Sequence, residues 1–132
     1  VWVADFIFTS CGDQCLILTA KMKTIQEEFR GDDRFRLVSV SVDPENDTPS
    51  VLKDYQDDHG ADPDRWYFLT GKMSEIKSLL VDGFKLGTSD APEFHTTRFV
   101  LVDGRGTIRG YYDADSATAL SDLKKKIRSL LD

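Results

Sequence analysis

Segments typical of β-strands and of α-helices alternate along the chain, and this order restricts its possible folds more than any other feature. Val1–Phe8 is an almost continuous apolar run, as expected for a strand that is buried on both faces. Leu16–Phe29 has roughly helical spacing and ends before Gly31. Phe35–Val42 alternates apolar and polar residues, which predicts a second strand. The apolar positions of the helical segment are Leu16, Ala20, Ile25 and Phe29.

The middle of the chain continues this alternation. Pro49 suits the first position of a helix, and either Asp47 or Thr48 is a suitable cap before it. Trp66–Leu69 predicts a short third strand, and another helical segment follows it. Gly83–Phe94 has no regular period and is rich in Gly, Ser, Thr, Asp and Pro, which predicts a long loop.

The last third of the chain predicts a β-hairpin and a closing helix. Thr97–Val102 and Thr107–Tyr112 are strand-like and are joined through Asp103-Gly104, a strong hairpin signal. Asp115–Leu131 has one apolar face, as a helix packed on a sheet should. The order β-α-β-α-β-α-loop-β-β-α predicts an α/β fold, a three-layer α/β/α sandwich with a mixed sheet. We expect residues 1–132 to form a single domain.

The net charge, the absence of a long apolar run and the N-terminal sequence narrow the possible functions. The net charge of −6 argues against a nucleic-acid partner, which would need a basic face. No run of residues is long and apolar enough to span a bilayer. The sequence has no initial Met and no signal peptide, so we expect it to be a piece of a longer precursor with any membrane anchor outside it.

The only two cysteines, Cys11 and Cys15, follow the first strand, and ligands of α/β sheets collect at the carboxyl ends of strands. We expect Cys15 in the first turn of a helix, where the helix dipole lowers a thiol pKa, while Asp13 acts in the opposite direction. Residues four apart on a helix have Cβ atoms about 5–6 Å apart. That distance allows a disulfide or two thiolates on one soft metal ion, and the spacing leaves both open.

The two histidines have different interpretations. His95 ends the predicted loop just before the strand 97–102, which the expected sheet order places beside the first strand, so it is a candidate ligand. His59 follows Asp57-Asp58 at a helix end, where a histidine complements the helix dipole, and we interpret it as structural.

Several motifs, in the correct order over nearly the whole chain, resemble the Sco/SenC family of copper chaperones. The resemblance implies a thioredoxin-like fold, in which we expect the family's extra N-terminal strand pair to be absent. The motifs are Phe6-Ile-Phe-Thr-Ser-Cys-x-x-x-Cys, Ser39-Val-Ser-Val-Asp-Pro-Glu-Asn-Asp-Thr-Pro, Leu69-Thr-Gly, His95-Thr, Leu101-Val-Asp-Gly-x-Gly and Tyr111-Tyr112.

The resemblance also implies a site and a function. The family's copper-binding cysteines and histidine fall on Cys11, Cys15 and His95, and its Asp-Pro-x-x-Asp aspartate falls on Asp43, which we expect near the site. Thiolates suit Cu(I), and imidazole suits Cu(I) and Cu(II). Family members lie outside the cytoplasm, on the periplasmic or cell-surface side or in the mitochondrial intermembrane space. They are usually tethered to the membrane, and they serve assembly of the copper centres of cytochrome c oxidase. We therefore expect a copper metallochaperone whose partner is an oxidase subunit or another copper-accepting protein.

Three residues depart from the family pattern. Gly12 and Leu16 stand where the family usually has Pro after each cysteine, and Phe94 stands where a polar residue commonly precedes the histidine. The ligand set stays whole, but Phe94 removes a possible hydrogen-bond partner of the imidazole, so we expect altered copper affinity and redox potential.

Three other functions remain open. A thiol–disulfide oxidoreductase would cycle Cys11 and Cys15 as redox residues, although thioredoxin-type motifs have two residues between the cysteines rather than three. A peroxiredoxin-like peroxidase would use Thr9 and Arg98 beside Cys11, but Thr9 stands two residues before the cysteine instead of three. A plain interaction domain would use the acidic stretch Asp54–Asp64 and make the Cys and His set accidental.

Overall fold

Five strands form one mixed sheet in a computed structural model that describes residues 1–10, 13–87 and 96–132. The strands are β1 (Trp2–Ile7), β2 (Arg36–Ser41), β3 (Trp66–Leu69), β4 (Arg98–Val102) and β5 (Ile108–Asp113). Their order in the sheet is β3-β2-β1-β4-β5. The first three strands are parallel, and β4 and β5 are antiparallel to their neighbours. The predicted mixed sheet, with the fourth strand beside the first, is therefore confirmed.

Helices cover both faces of this sheet. They are α1 (Asp13–Glu28), α2 (Pro49–Asp58), α3 (Met73–Ser78), which continues into a π-helical turn Leu79–Gly83, and α4 (Ala119–Leu131). One face packs against α1 and α4 around Trp66 and Phe99, and the other packs against α3 and the π-helical turn around Phe6 and Leu80. The α2 residue Tyr55 contacts Thr19 of α1, which places α2 on the first face. The predicted three-layer α/β/α sandwich is confirmed.

The buried stripe of α1 differs from the predicted one. Ile25 and Phe29 are buried as expected, but Leu16 is 47% exposed and Ala20 is exposed. The helix begins at Asp13, and a 3.6-residue period drawn back from Ile25 leaves Leu16 and Ala20 on the solvent side. The residues that fill the buried stripe are Cys15, Leu18, Met22, Ile25 and Phe29.

The starts of α2 and α4 depend on hydrogen bonds of polar side chains, which the sequence alone did not identify. Thr48 caps α2, because its hydroxyl accepts the N–H of Val51 at 3.3 Å. The predicted start of the last helix at Asp115 was wrong by four residues. The Asp113 carboxylate accepts the N–H of Asp115 at 2.9 Å, and this side-chain turn replaces the first helical turn. Most of the predicted loop Gly83–Phe94 lies outside the described residues.

Candidate metal and redox site

Cys15 lies in the first turn of α1, as predicted. It is 5% exposed, and its sulfur is disulfide-bonded. The first-turn N–H groups of a helix have no partners within the helix, and their partial positive charge lowers the pKa of a nearby thiol. The sulfur of Cys15 belongs to the turn that carries these N–H groups. Its predicted partner Cys11 and the adjacent Gly12 lie outside the described residues.

The strands that flank the predicted ligands are neighbours in the sheet. β1 and β4 pair antiparallel, with Ala4 opposite Val100. This register brings the start of β4 beside the end of β1, where the chain continues to Thr9 and Ser10. His95, like the preceding Phe94, lies outside the described residues. The meeting of Cys11, Cys15 and His95 therefore stays a prediction.

Asp47 is a fully buried carboxylate that fixes the turn before Cys11. It accepts the N–H of Thr9 at 3.1 Å, the hydroxyl of Thr9, and the hydroxyl of Ser41 at 2.7 Å. These bonds join the ends of β1 and β2. The sequence indicated Asp47 only as a possible helix cap, although its place just after a strand parallel to β1 was a usable signal.

Asp43, which we expected near the site, is half-buried at the start of the loop after β2. Its carboxylate accepts the side-chain N–H of Asn46 at 2.9 Å, and its backbone N–H donates to the Ser41 hydroxyl at 3.1 Å. Both contacts of Asp43 are therefore with residues of its own loop or of the end of β2. A role of Asp43 beside the copper ligands stays a prediction.

Asp5 is a second buried carboxyl, and it lies in the middle of β1. The Ser39 hydroxyl donates to its Oδ1 atom, and the indole N–H of Trp66 donates to the Ser39 oxygen at 2.9 Å. Its Oδ2 atom has no hydrogen-bond partner within the described part of the chain. Burial raises the pKa of Asp5 from 3.8 to about 7, although the Ser39 hydrogen bond acts to lower it. The signal in the sequence was one aspartate inside an otherwise apolar run.

Tyr55 connects α2 to the layer beneath α1. Its hydroxyl forms a 2.8 Å hydrogen bond with the hydroxyl of the buried Thr19, which lies one turn after Cys15. Burial raises the pKa of Tyr55, and the negative charges of Asp5 and Asp47 raise it further. His59 is the C-terminal cap of α2, and its ring lies 4.1 Å from the Tyr55 ring, in keeping with a structural role.

The described residues include no group of three or more His, Cys, Asp or Glu that could hold a metal ion, and Cys11 and His95 are not among them. The two thiols and one imidazole of the predicted set are nevertheless a donor set that suits copper. None of the helices in ranges 1–10, 13–87 and 96–132 combines the length and the apolar character needed to cross a membrane.

The whole chain has recognisable relatives. The family model SCO1/SenC matches residues 1–132. A SCO1 protein homolog of Bacillus subtilis is 35% identical over 136 residues, covering 98% of this chain and 70% of that protein. The structure of a SCO1/SenC family lipoprotein from Bacillus anthracis is 31% identical with a TM-score of 0.84, covering 99% of this chain and 81% of the other.

Two further structures resemble this one. BsSco, described as a member of the Sco family of cytochrome c oxidase assembly proteins with a disulfide switch, is 35% identical with a TM-score of 0.81. The match covers 98% of this chain and 78% of the other. Arabidopsis thaliana ScoI with copper bound is 26% identical with a TM-score of 0.72. The match covers 97% of this chain and 83% of the Arabidopsis chain. The fold, the motif order and the family model agree over the full length, and the chain belongs to the SCO1/SenC family.

Proposed function

We propose that this chain is a copper metallochaperone that binds copper through Cys11, Cys15 and His95 and transfers it to another protein. Membership of the SCO1/SenC family over all 132 residues carries this proposal, because the sequence keeps both cysteines and the histidine at the motif positions. Copper is bound in the related Arabidopsis structure, which supports copper as the cargo. We also propose that residues 1–132 act as one copper-binding domain.

The chemistry of the proposed ligands suits a carrier of copper. Two thiolates stabilise Cu(I), while one imidazole also accepts Cu(II), and three protein ligands leave a position open for transfer. Cys15, in the first turn of α1, is one of the two proposed thiolate ligands. Because both thiols must lose their protons, copper binding should weaken as the pH falls.

The related structures suggest the partner and the compartment. BsSco is described within a family of cytochrome c oxidase assembly proteins, so we propose an oxidase subunit or another copper-accepting protein as the recipient. The Bacillus anthracis relative is a lipoprotein, which supports a site of action at the extracytoplasmic face of a membrane. The acidic net charge of −6 makes nucleic acid an unsuitable partner.

A second candidate function is thiol–disulfide exchange with a partner protein. The disulfide-bonded state of Cys15 favours it, because a pair that forms a disulfide can, once reduced, donate two electrons to the disulfide of a partner. The disulfide switch described for BsSco also supports this candidate. The two activities are compatible, since the same pair could reduce a partner's copper ligands before copper transfer.

A Cu(II) titration of the fully reduced domain tests the first proposal. We expect a sulfur-to-copper charge-transfer band that saturates at about one equivalent of copper, because thiolates in contact with Cu(II) absorb in this way. His95→Ala should change the band and weaken the Cu(II) form, and Cys15→Ala should abolish tight binding. His59→Ala is the matched control, since this histidine caps α2.

The outcomes separate the two candidates. If copper only oxidises the thiols and then dissociates, redox exchange becomes the principal function. If a variant lacking both Cys11 and Cys15 still binds one equivalent of Cu(II) tightly, the proposed ligand set is wrong.

A further inference from the structure

The buried carboxylate of Asp47 accepts three hydrogen bonds, and two of them come from Thr9. The backbone N–H of Thr9 donates to Oδ2 at 3.1 Å, and the Thr9 hydroxyl donates to Oδ1. The third donor is the hydroxyl of Ser41, at 2.7 Å from Oδ2. A carboxylate only accepts hydrogen bonds, so it can serve all three donors at once. Thr9 is therefore held by both its main chain and its side chain.

Asp47 is itself held on both sides along the chain. Its backbone N–H donates to the carbonyl of Asp43 at 2.8 Å, and the backbone N–H of Asp43 donates to the Ser41 hydroxyl at 3.1 Å. The next residue, Thr48, is the cap of α2. These contacts make the Asp47 carboxylate a fixed point between β2 and α2, and they tie Thr9 to both of these elements.

The two cysteines lie on the short connection between this fixed point and α1. Cys15, at the far end, is 5% exposed in the first turn of the helix. Cys11 follows Thr9 by two residues, and two residues of chain span at most about 7 Å. Gly12 stands between the cysteines, and glycine restrains the backbone less than any other residue does. The anchor at Thr9 therefore limits the positions that Cys11 can take relative to Cys15.

We propose that Asp47 is a positioning residue for the cysteine pair, and that its hold on Thr9 favours the Cys11–Cys15 disulfide over the dithiol. This inference rests on the cysteine pair of the proposed function. Closing the disulfide costs conformational entropy, and an anchor that already restricts the dithiol reduces that cost. The structure combines a disulfide-bonded Cys15 with an anchored Thr9, as expected when each state stabilises the other.

The anchor would also affect copper loading. Copper needs both thiols in the reduced form, so the balance between disulfide and dithiol sets the fraction of molecules that can accept it at a given redox potential. A tighter hold on Thr9 lowers that fraction, and a looser hold raises it. Asp47 would thus adjust the readiness of the site without contacting the metal.

The equilibrium that measures this balance is exchange with a small dithiol. A thiolate of dithiothreitol attacks one sulfur of the protein disulfide and forms a mixed disulfide, and the other protein sulfur leaves with the bonding electron pair. The second sulfur of dithiothreitol then closes its own ring disulfide and releases the remaining protein sulfur. Two electrons and two protons pass from dithiothreitol to the protein, which becomes the dithiol.

The test is the equilibrium constant of this exchange, measured on the copper-free domain at fixed pH in mixtures of reduced and oxidised dithiothreitol. Alkylation of free thiols and mass spectrometry give the fraction of dithiol. In Thr9→Val, which keeps the shape and the backbone hydrogen bond, we expect the equilibrium to move toward the dithiol by about three- to tenfold. That range corresponds to the loss of one hydrogen bond to a charged group. Asp47→Asn should move it in the same direction.

Two control variants separate positioning from a general loss of stability. Thr97→Val is the chemical match, because the Thr97 hydroxyl donates to the carboxylate of Asp113 at 3.0 Å and neither residue belongs to the connection between β1 and α1. Gly60→Ala destabilises the end of α2, where the φ angle of Gly60 is +67°. Both controls should stay within about twofold of the wild-type equilibrium constant, since neither touches the anchor at Thr9.

The outcomes distinguish this inference from the proposed function. A wild-type equilibrium constant in Thr9→Val overturns the inference, whether or not Asp47→Asn folds. A shift in Thr97→Val or Gly60→Ala as large as that in Thr9→Val also overturns it, because loss of stability alone would then explain the effect. Failure of the reduced wild-type domain to bind copper concerns the chaperone function alone, since the exchange is measured without copper. A wild-type domain that forms no reducible disulfide overturns the cysteine pair and this inference together.

Discussion

Thr9 donates both its backbone N–H and its hydroxyl to the carboxylate of Asp47. Thr9 stands two residues before Cys11, and Asp47 stands in the loop after β2. One buried carboxylate therefore ties the turn that leads to the cysteine pair to the neighbouring parallel strand. Ser41, at the end of β2, donates to the same carboxylate at 2.7 Å, which completes a small polar network at the edge of the sheet.

Replacement of Asp47 should lower the free energy of unfolding. Asp47→Ala leaves the N–H of Thr9 and the hydroxyl of Ser41 without their acceptor, and we expect the free energy of unfolding to fall by about 3 kcal/mol or more. Asp47→Asn keeps one acceptor oxygen and should cost less. Urea denaturation measures both, and Asp54→Ala on the exposed side of α2 is the control. Equal, small losses for Asp47→Ala and Asp54→Ala would show that the network does not hold this turn.

Asp5 should make stability depend on pH. Its pKa is raised from 3.8 in the unfolded chain to about 7 in the fold, so the folded state holds a proton that the unfolded state loses. The protein is therefore destabilised as the pH rises from about 4 to about 7, by an amount on the order of 4 kcal/mol at 1.36 kcal/mol per pKa unit, and no further above that range.

Asp5→Asn should remove this effect, since Asn does not ionise and can still accept from Ser39. We expect the difference in unfolding free energy between Asp5→Asn and wild type to grow in favour of the variant between pH 4 and pH 7. Denaturation curves at several pH values measure that difference. A difference that stays constant with pH would mean that Asp5 is ionised in the fold throughout.

The overall fold could be predicted because each strand and helix has a strong local pattern. The apolar run Val1–Phe8 predicted β1, and the Asp103-Gly104 turn predicted the hairpin of β4 and β5. The predicted ends of these strands lie within one or two residues of the observed ends. The start of α4 could not be predicted, because the side chain of Asp113 forms a turn that competes with the helix. Local patterns thus specify the elements, while their ends depend on individual hydrogen bonds.

The candidate site was predicted less completely. The motif identified Cys15 and its position in the first turn of α1, but nothing in the spacing indicated that Asp5 would face α1 or that Asp47 would bind Thr9. Both carboxylates act through contacts between residues more than 30 positions apart. Such contacts depend on strand register, which single-sequence patterns do not specify.

Glycine at position 60, at the end of α2, should stabilise the fold relative to other residues. Its φ angle is +67°, a conformation that residues with a Cβ atom rarely adopt, and the N–H of the next residue, Ala61, donates to the carbonyl of Gln56 at 3.1 Å. We expect Gly60→Ala to lower the free energy of unfolding by about 1 kcal/mol. Gly31→Ala is the matched control, because an added Cβ there meets no atom within 4 Å. A cost for Gly31→Ala as large as that for Gly60→Ala would contradict this explanation.

The hydroxyl pair of Thr19 and Tyr55 should couple α1 to α2. Thr19→Val and Tyr55→Phe each remove one hydroxyl from the 2.8 Å hydrogen bond and keep nearly the same shape. We expect each to cost about 1 kcal/mol, and we expect the double variant to cost less than the sum, because the second change removes a group that has already lost its partner. Urea denaturation of the four proteins gives the coupling energy, expected at about 0.5–1.5 kcal/mol. Additive effects would mean that the two hydroxyls do not stabilise each other in the folded protein, and that this hydrogen bond does not couple α1 to α2.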